Sequence, residues 1–215
     1  MKSSLPLKNP TPYTRSLMPL PPVGAEAVIR ELVRRAQDGD TEAFGKLYDH
    51  FFDPIYRYTA FRAPAEMVED LVADVFVKAW EKLHRYKVRR GVPFAAWLFR
   101  IARYTVIDAY RTQRNFEEIP EELVDTDPWN RAEAKVESDD LLRMVREALA
   151  TLPRRYREIL LLCYVAELSH HEVARVLHLT EGAVRILKFR ALRKLRTLLP
   201  EDAREHRAVY APTPI

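Results

Sequence analysis

Apolar positions recur along this chain at intervals of three and four residues, and no two-residue alternation persists anywhere. That period belongs to helices. The helical pattern starts near Ala25. A second helix follows Asp40, a residue suited to cap it. Within it Phe44, Leu47, Tyr48, Phe51, Phe52, Ile55 and Tyr56 keep the spacing of a buried face. Pro54 falls inside that pattern and is expected to kink the helix or limit its hydrogen bonding. Pro64 suits the first turn of a third helix, which reaches about Leu83. The stretch HRYKVRRGVP breaks the period, and Phe94 to about Arg114 form a fourth helix. Beyond an acidic, Pro-containing segment, Ser138 can cap a helix through DDLLRMVREALATL. Pro153 starts another over PRRYREILLLCYVA, and two shorter helices follow. The expected fold is all-α. It comprises two small helical domains, 25–114 and 138–199, joined by an acidic flexible linker over 115–137.

Composition adds the ends and the compartment. Residues 1–22 hold six of the fifteen prolines, three basic residues and no acid, and residues 200–215 hold three more prolines. Segments 1–24 and 200–215 are therefore expected to be flexible tails. No run approaches the roughly 18 apolar residues of a membrane span, and the start lacks the apolar core of a signal peptide. The single cysteine, Cys163, forms no internal disulfide and fits a reducing compartment. A cytoplasmic protein without membrane insertion is expected.

The net charge of +4 conceals a segregation. Residues 116–140 carry ten acids against Arg131 and Lys135, while AVRILKFRALRKLR (183–196) carries six positive charges and no negative one. On a helix, Val184, Leu187, Ala191, Leu195 and Leu198 fall within an arc of about 80°. Arg185, Phe189, Arg193 and Arg196 occupy a similar arc on the opposite side. An ordinary surface helix mixes signs; this one packs on one side and is basic on the other. Just before it, Ser169 and Glu172 have capping-box spacing, Val173, Ala174 and Leu177 face inward, and HLT makes a turn in which Thr180 caps the next helix. This is a helix-turn-helix, with the basic helix as its reading element. The pair His170–His171 does not make a helical metal site, because Arg175 stands where a second ligand is needed. No metal, cofactor or catalytic residue is expected.

A second basic stripe lies in the first domain. Arg100, Arg103, Arg111 and Arg114 share an arc of about 80° with Ile107, next to Phe94, Trp97 and Tyr104. Aromatic rings beside cations suit unpaired bases, although Phe94 and Trp97 would serve equally as core. The third helix carries Glu69, Asp70 and Asp74 beside Leu71, Val72, Phe76 and Trp80. It is either a core helix with an acidic edge or a protein-docking face.

Together these segments are specific. AFGKLYDHFFDPIYRY, VEDLVADVFVKAW and PFAAWLFRIARYTVIDAYR resemble the second conserved region of bacterial sigma factors. The segment from Leu152 to Arg196 resembles the fourth. With no substantial domain between them, the chain is similar to RNA polymerase sigma factors of the extracytoplasmic-function type over roughly 25–199. The resemblance implies a non-enzymatic subunit that binds core RNA polymerase and directs promoter-specific initiation. Asp70, Leu71, Asp74, Phe76 and Trp80 would dock on the polymerase. Arg89 and Arg90 of the loop, with Trp97, Arg100, Arg103, Tyr104 and Arg111, would engage and help melt the minus-ten element. Where the family usually has Asn, Tyr104 offers a ring that can stack. Thr180, Arg185, Ile186, Phe189, Arg190 and Arg193 would meet the minus-thirty-five element of promoter DNA. The alternative is a helix-turn-helix regulator that acts without polymerase, its first domain serving dimerisation or an effector. The chain carries no evident sensor, so a separate anti-sigma factor covering both domains is the expected means of control.

Overall fold

The computed structural model describes residues 25–87, 91–116 and 140–199, with side chains over 26–87, 91–112 and 144–199. The expected tails, the acidic linker beyond residue 116, Ser138, Arg89, Arg90 and the Arg114 side chain lie outside the described residues, and the first two residues of the expected linker belong to the end of the fourth helix. The helices are α1 (Ala25–Gln37), α2 (Thr41–Ala60), α3 (Ala65–Lys82) and α4 (Phe94–Phe116), then α5 (Asp140–Ala150), α6 (Arg154–Leu160), α7 (His170–Leu177) and α8 (Glu181–Leu198). A 3₁₀ turn, Leu83–Arg85, follows α3, and a π-helical turn, Leu161–Val165, follows α6. Among the described residues there is no strand, and no helix is long and apolar enough to cross a membrane.

Helices α1–α4 form one bundle around Leu47, Ile55, Tyr58, Val75, Leu98, Phe99 and Val106, all essentially inaccessible to water. Asp40 caps α2 through Oδ1, which accepts from the Ala43 N–H at 2.9 Å. That bond, and then the Arg35 guanidinium, hold its carboxyl below the usual range. The helix runs unbroken through Pro54. The missing N–H leaves the carbonyl of His50, an exposed residue, without its helical donor. Tyr48, expected on the buried face, is partly exposed and packs against Phe76 with ring centroids 4.5 Å apart. Pro64 is the cap residue of α3 rather than part of its first turn.

Helices α5–α8 form the second bundle around Ile159, Leu161, Leu162, Val173 and Val184. Arg157, buried, turns its guanidinium onto the carbonyls that end α5. Its Nε donates to Leu149 O at 2.8 Å, and Nη2 donates to Ala150 O and, at 3.0 Å, to Leu152 O. One side chain thus satisfies acceptors that a helix end leaves open. The helix expected to run on from Pro153 widens at its end, where Ala166 N–H bonds to Leu161 O at 2.9 Å, five residues back. The last helix was expected to be short, but α8 has 18 residues.

The two bundles pack on each other: α7 lies against α4, and the π turn lies against α2. Neither contact has a signature in the sequence pattern.

Candidate nucleic-acid interface

The helix-turn-helix forms as its caps dictate. Ser169 Oγ accepts from the Glu172 N–H at 3.2 Å, while Glu172 Oε2 accepts from the Ser169 N–H at 2.8 Å, so two orphan donors are met reciprocally. His178 ends α7 in the left-handed region, φ 55° and ψ 45°, where a glycine is more usual. Thr180 Oγ1 then accepts from the Ala183 N–H at 3.2 Å and starts α8. Two contacts fix α8 against α7: His171 Nδ1 lies 3.1 Å from Glu181 Oε1, and Lys188 Nζ lies 3.2 Å from His170 Nε2. Burial first, and then Lys188 and Arg185, push the His170 pKa below its ordinary value. The neutral ring can accept from the ammonium. Lys188 also sits 5.1 Å over the Tyr164 ring, so its charge is turned inward.

The two faces of α8 are those expected from its spacing. Val184 and Ala191 are buried and Leu187, Leu195 and Leu198 partly so, while Arg185, Ile186, Arg190, Arg193, Lys194 and Arg196 are exposed. Phe189 is 62% exposed, with the Arg193 guanidinium 5.9 Å from its ring centroid. The described side chains of α8 beyond its first residue include no acid. The result is a cationic ridge with two bare apolar side chains on it.

In the first bundle an aromatic cluster joins Tyr86 to the start of α4. Phe94 is buried and Trp97 half-buried, their rings 5.3 Å apart, and both meet Tyr86. Gln37 Nε2 donates to Leu83 O at 2.8 Å and Tyr86 O at 2.7 Å, and Tyr86 Oη donates to Val92 O at 2.7 Å. Burial pushes the Tyr86 hydroxyl up to about 12, so it remains a donor. Tyr86 and Val92 are thereby tied to each other and to α1. Arg111 and Tyr104 are exposed, and the Arg103 guanidinium lies 5.6 Å from the Tyr104 centroid. Arg100 and Arg103 instead turn toward the second bundle. Arg100 Nη2 donates to Arg175 O at 2.6 Å, and Arg103 Nε lies 3.5 Å from Glu158 Oε1.

Helix α3 divides the expected docking residues into two groups. Leu71 and Phe76 are only 4% and 6% exposed and belong to the core, so they hold the helix in place rather than face a partner. Asp70, Asp74 and Trp80 are exposed. Trp80 lies edge-on to Phe44 with centroids 4.8 Å apart. Val77, one turn before it and 55% exposed, extends the bare apolar surface. The spacing of Val77 to Trp80 could have revealed it.

Residues 47–116 match the family Sigma-70 region 2, and residues 142–195 match Sigma-70, region 4. The chain is 37% identical over 184 residues to the ECF RNA polymerase sigma factor BldN of Streptomyces coelicolor, covering 83% of this chain and 68% of that protein. It is 35% identical over 186 residues to the ECF RNA polymerase sigma factor ShbA of Streptomyces griseus, covering 80% and 95%. A solved structure of CnrH, a sigma factor of Cupriavidus metallidurans, in complex with the cytosolic domain of CnrY superposes with a TM-score of 0.60. That match has 30% sequence identity and covers 80% of this chain and 96% of that one.

Proposed function

The chain belongs to the extracytoplasmic-function sigma factors of RNA polymerase, and from that premise we propose how its surfaces divide the work of promoter-specific initiation. Helix α8 reads the minus-thirty-five element in the major groove through Arg185, Ile186, Phe189, Arg190 and Arg193, with Thr180 setting its start. The observation that carries this reading is the cationic ridge of α8, held rigid by two polar contacts to α7. Arginines there can pair with base edges and phosphates, while Ile186 and Phe189 suit thymine methyls.

The minus-ten element falls to the first bundle. Trp97 and Tyr104 offer rings to unstacked bases, and Arg100, Arg103 and Arg111, with Arg89 and Arg90, meet the strand backbone. Extruding a base costs a few kcal/mol, which stacking at about 1–3 kcal/mol per base can offset. Core polymerase docks on the exposed side of α3, at Asp70, Asp74, Val77 and Trp80. The chain needs no cofactor and no catalytic centre of its own, since bond formation belongs to the polymerase, and it works in the cytoplasm.

Control by a separate anti-sigma protein fits the same surfaces. CnrH is bound by a second protein, the cytosolic domain of CnrY, and a partner of that kind here would cover α3 and α8 together. Gel filtration with purified core polymerase tests the docking face. The chain should co-elute with the core enzyme, and the Asp70→Asn/Trp80→Ala double variant should not. Normal co-elution of that variant would remove α3 from the account.

A further inference from the structure

The contact between the bundles is built around one carboxylate. Glu158 of α6 is buried, its side chain 6% exposed, yet its ligands come from the other bundle. Tyr58 Oη donates to Oε1 at 2.8 Å, the Arg62 guanidinium bonds to Oε2, and Arg103 Nε lies 3.5 Å from Oε1. Two guanidiniums and a hydroxyl around one anion make a strong ligand set for a phosphate. Contacts within the first bundle help to hold two of these ligands. Arg62 stacks over the Tyr58 ring at 5.3 Å, and its carbonyl accepts from Tyr110 Oη at 3.0 Å. Burial pushes the Tyr58 hydroxyl well up, so it stays a donor.

The closed packing leaves donors of this region unmet. Arg103 Nε is buried and within ion-pair range of Glu158 but outside hydrogen-bond geometry, and the buried Arg100 Nε has no hydrogen-bond partner. Beside them, Arg57 Nε donates to Val165 O at 3.3 Å and Nη2 to Glu167 at 3.4 Å. Arg57, Arg62, Arg100 and Arg103 thus form a basic field on the first bundle, answered by two carboxylates and two carbonyls of the second. It adjoins the exposed Tyr104 and Arg111 on α4.

We propose that Tyr58, Arg62 and Arg103 form a binding site for a phosphodiester of promoter DNA, and that Glu158 fills it as a phosphate stand-in, holding the free chain closed. Two guanidiniums against one carboxylate leave positive charge that a DNA backbone, with an anion at every nucleotide, neutralises more fully. Strand binding and closure therefore compete for the same donors. The proposal rests on the promoter-binding reading above and adds Tyr58 and Arg62 to it.

The test uses the full chain with fluorophores at Lys82→Cys and Thr197→Cys in a Cys163→Ser background. Energy transfer between the labels reports closure, and anisotropy of a short single-stranded oligodeoxynucleotide reports binding; both are read without polymerase. DNA should lower the transfer in the otherwise unaltered chain. Glu158→Gln, nearly isosteric, should lower it without DNA and tighten DNA binding roughly tenfold, within the usual range for coupled sites. Arg57→Ala should also open the chain and tighten binding, because it breaks the closure while sparing the phosphate ligands. Arg62→Ala should open the chain without that gain, and its salt slope should be lower by about one unit. Tyr58→Phe, which removes only the hydroxyl, should show the same pattern more weakly and stands in if Arg62→Ala fails to fold. Unchanged transfer and affinity in Glu158→Gln would overturn the proposal. So would Arg62→Ala binding DNA as tightly, and with the same salt slope, as Glu158→Gln. A chain that opens as described but directs no transcription with core polymerase would defeat the sigma-factor reading and leave the clasp intact.

Discussion

At the scale of single residues, the proposed roles on the basic ridge of α8 divide into reading bases and holding phosphates. Arg185 is exposed near the start of α8, where a recognition helix meets base edges. Arg185→Ala should cost about 1–3 kcal/mol, concentrated at one position of the upstream element. Lys194→Ala, on the flank, should weaken binding evenly across sequences and lower the salt slope by about one unit. A base-by-base promoter scan separates the two; identical profiles would cancel the assignment. His170 gives a pH signature. Its folded pKa lies below the ordinary value, so the unfolded chain binds the proton more readily than the folded one. Its contribution to stability is therefore complete above pH about 6.5 and declines as pH falls through the lowered folded value. Protonation would also set the ring against Lys188 at 3.2 Å. His170→Gln should lose that part of the acid slope in urea midpoints measured between neutral and mildly acidic pH, and an unchanged slope would contradict it. Which residues of α8 point outward was legible from spacing alone, because one helix period decides it. The fate of Arg100 and Arg103 was not, since the same spacing fits solvent, DNA or another domain.

At the scale of elements, caps and periodicity carried most of the information. Asp40, the Ser169–Glu172 box and Thr180 all cap where their types and spacings require. Leu71 and Phe76 were legible as apolar but not as inaccessible. Period tells which residues share a face, and depth depends on the neighbour that covers it. Arg157 was invisible as a structural residue for a related reason: in sequence it is one more cation in PRRYRE. In the fold it closes α5 with three carbonyl contacts. Hydrogen bonds involving a charged group each contribute about 1.5–3 kcal/mol, so Arg157→Ala should destabilise the second bundle by about 3 kcal/mol or more. Thermal unfolding followed by circular dichroism measures it. A change within about 0.5 kcal/mol, the usual range for surface substitutions, would mean the guanidinium contacts are incidental.

At the scale of the whole molecule, the chain is an adaptor with a basic surface on each bundle and an apolar–acidic patch on α3. Charge segregation made the division into two helical domains legible, and motif order made the family legible. The closed packing was not, because Glu158 and its ligands lie some 55 to 100 residues apart in sequence, as with Tyr58 at a separation of 100, and no periodic signal spans that distance. Every surface assignment converges on one claim, that the chain selects promoters for core polymerase rather than binding DNA on its own account. Run-off transcription with purified core enzyme and a promoter template measures this directly. Transcripts from one defined start should require the chain and disappear with a combined Arg185→Ala/Arg190→Ala variant. Sequence-specific DNA binding by the chain with no chain-dependent transcript, at saturating concentration, would contradict it.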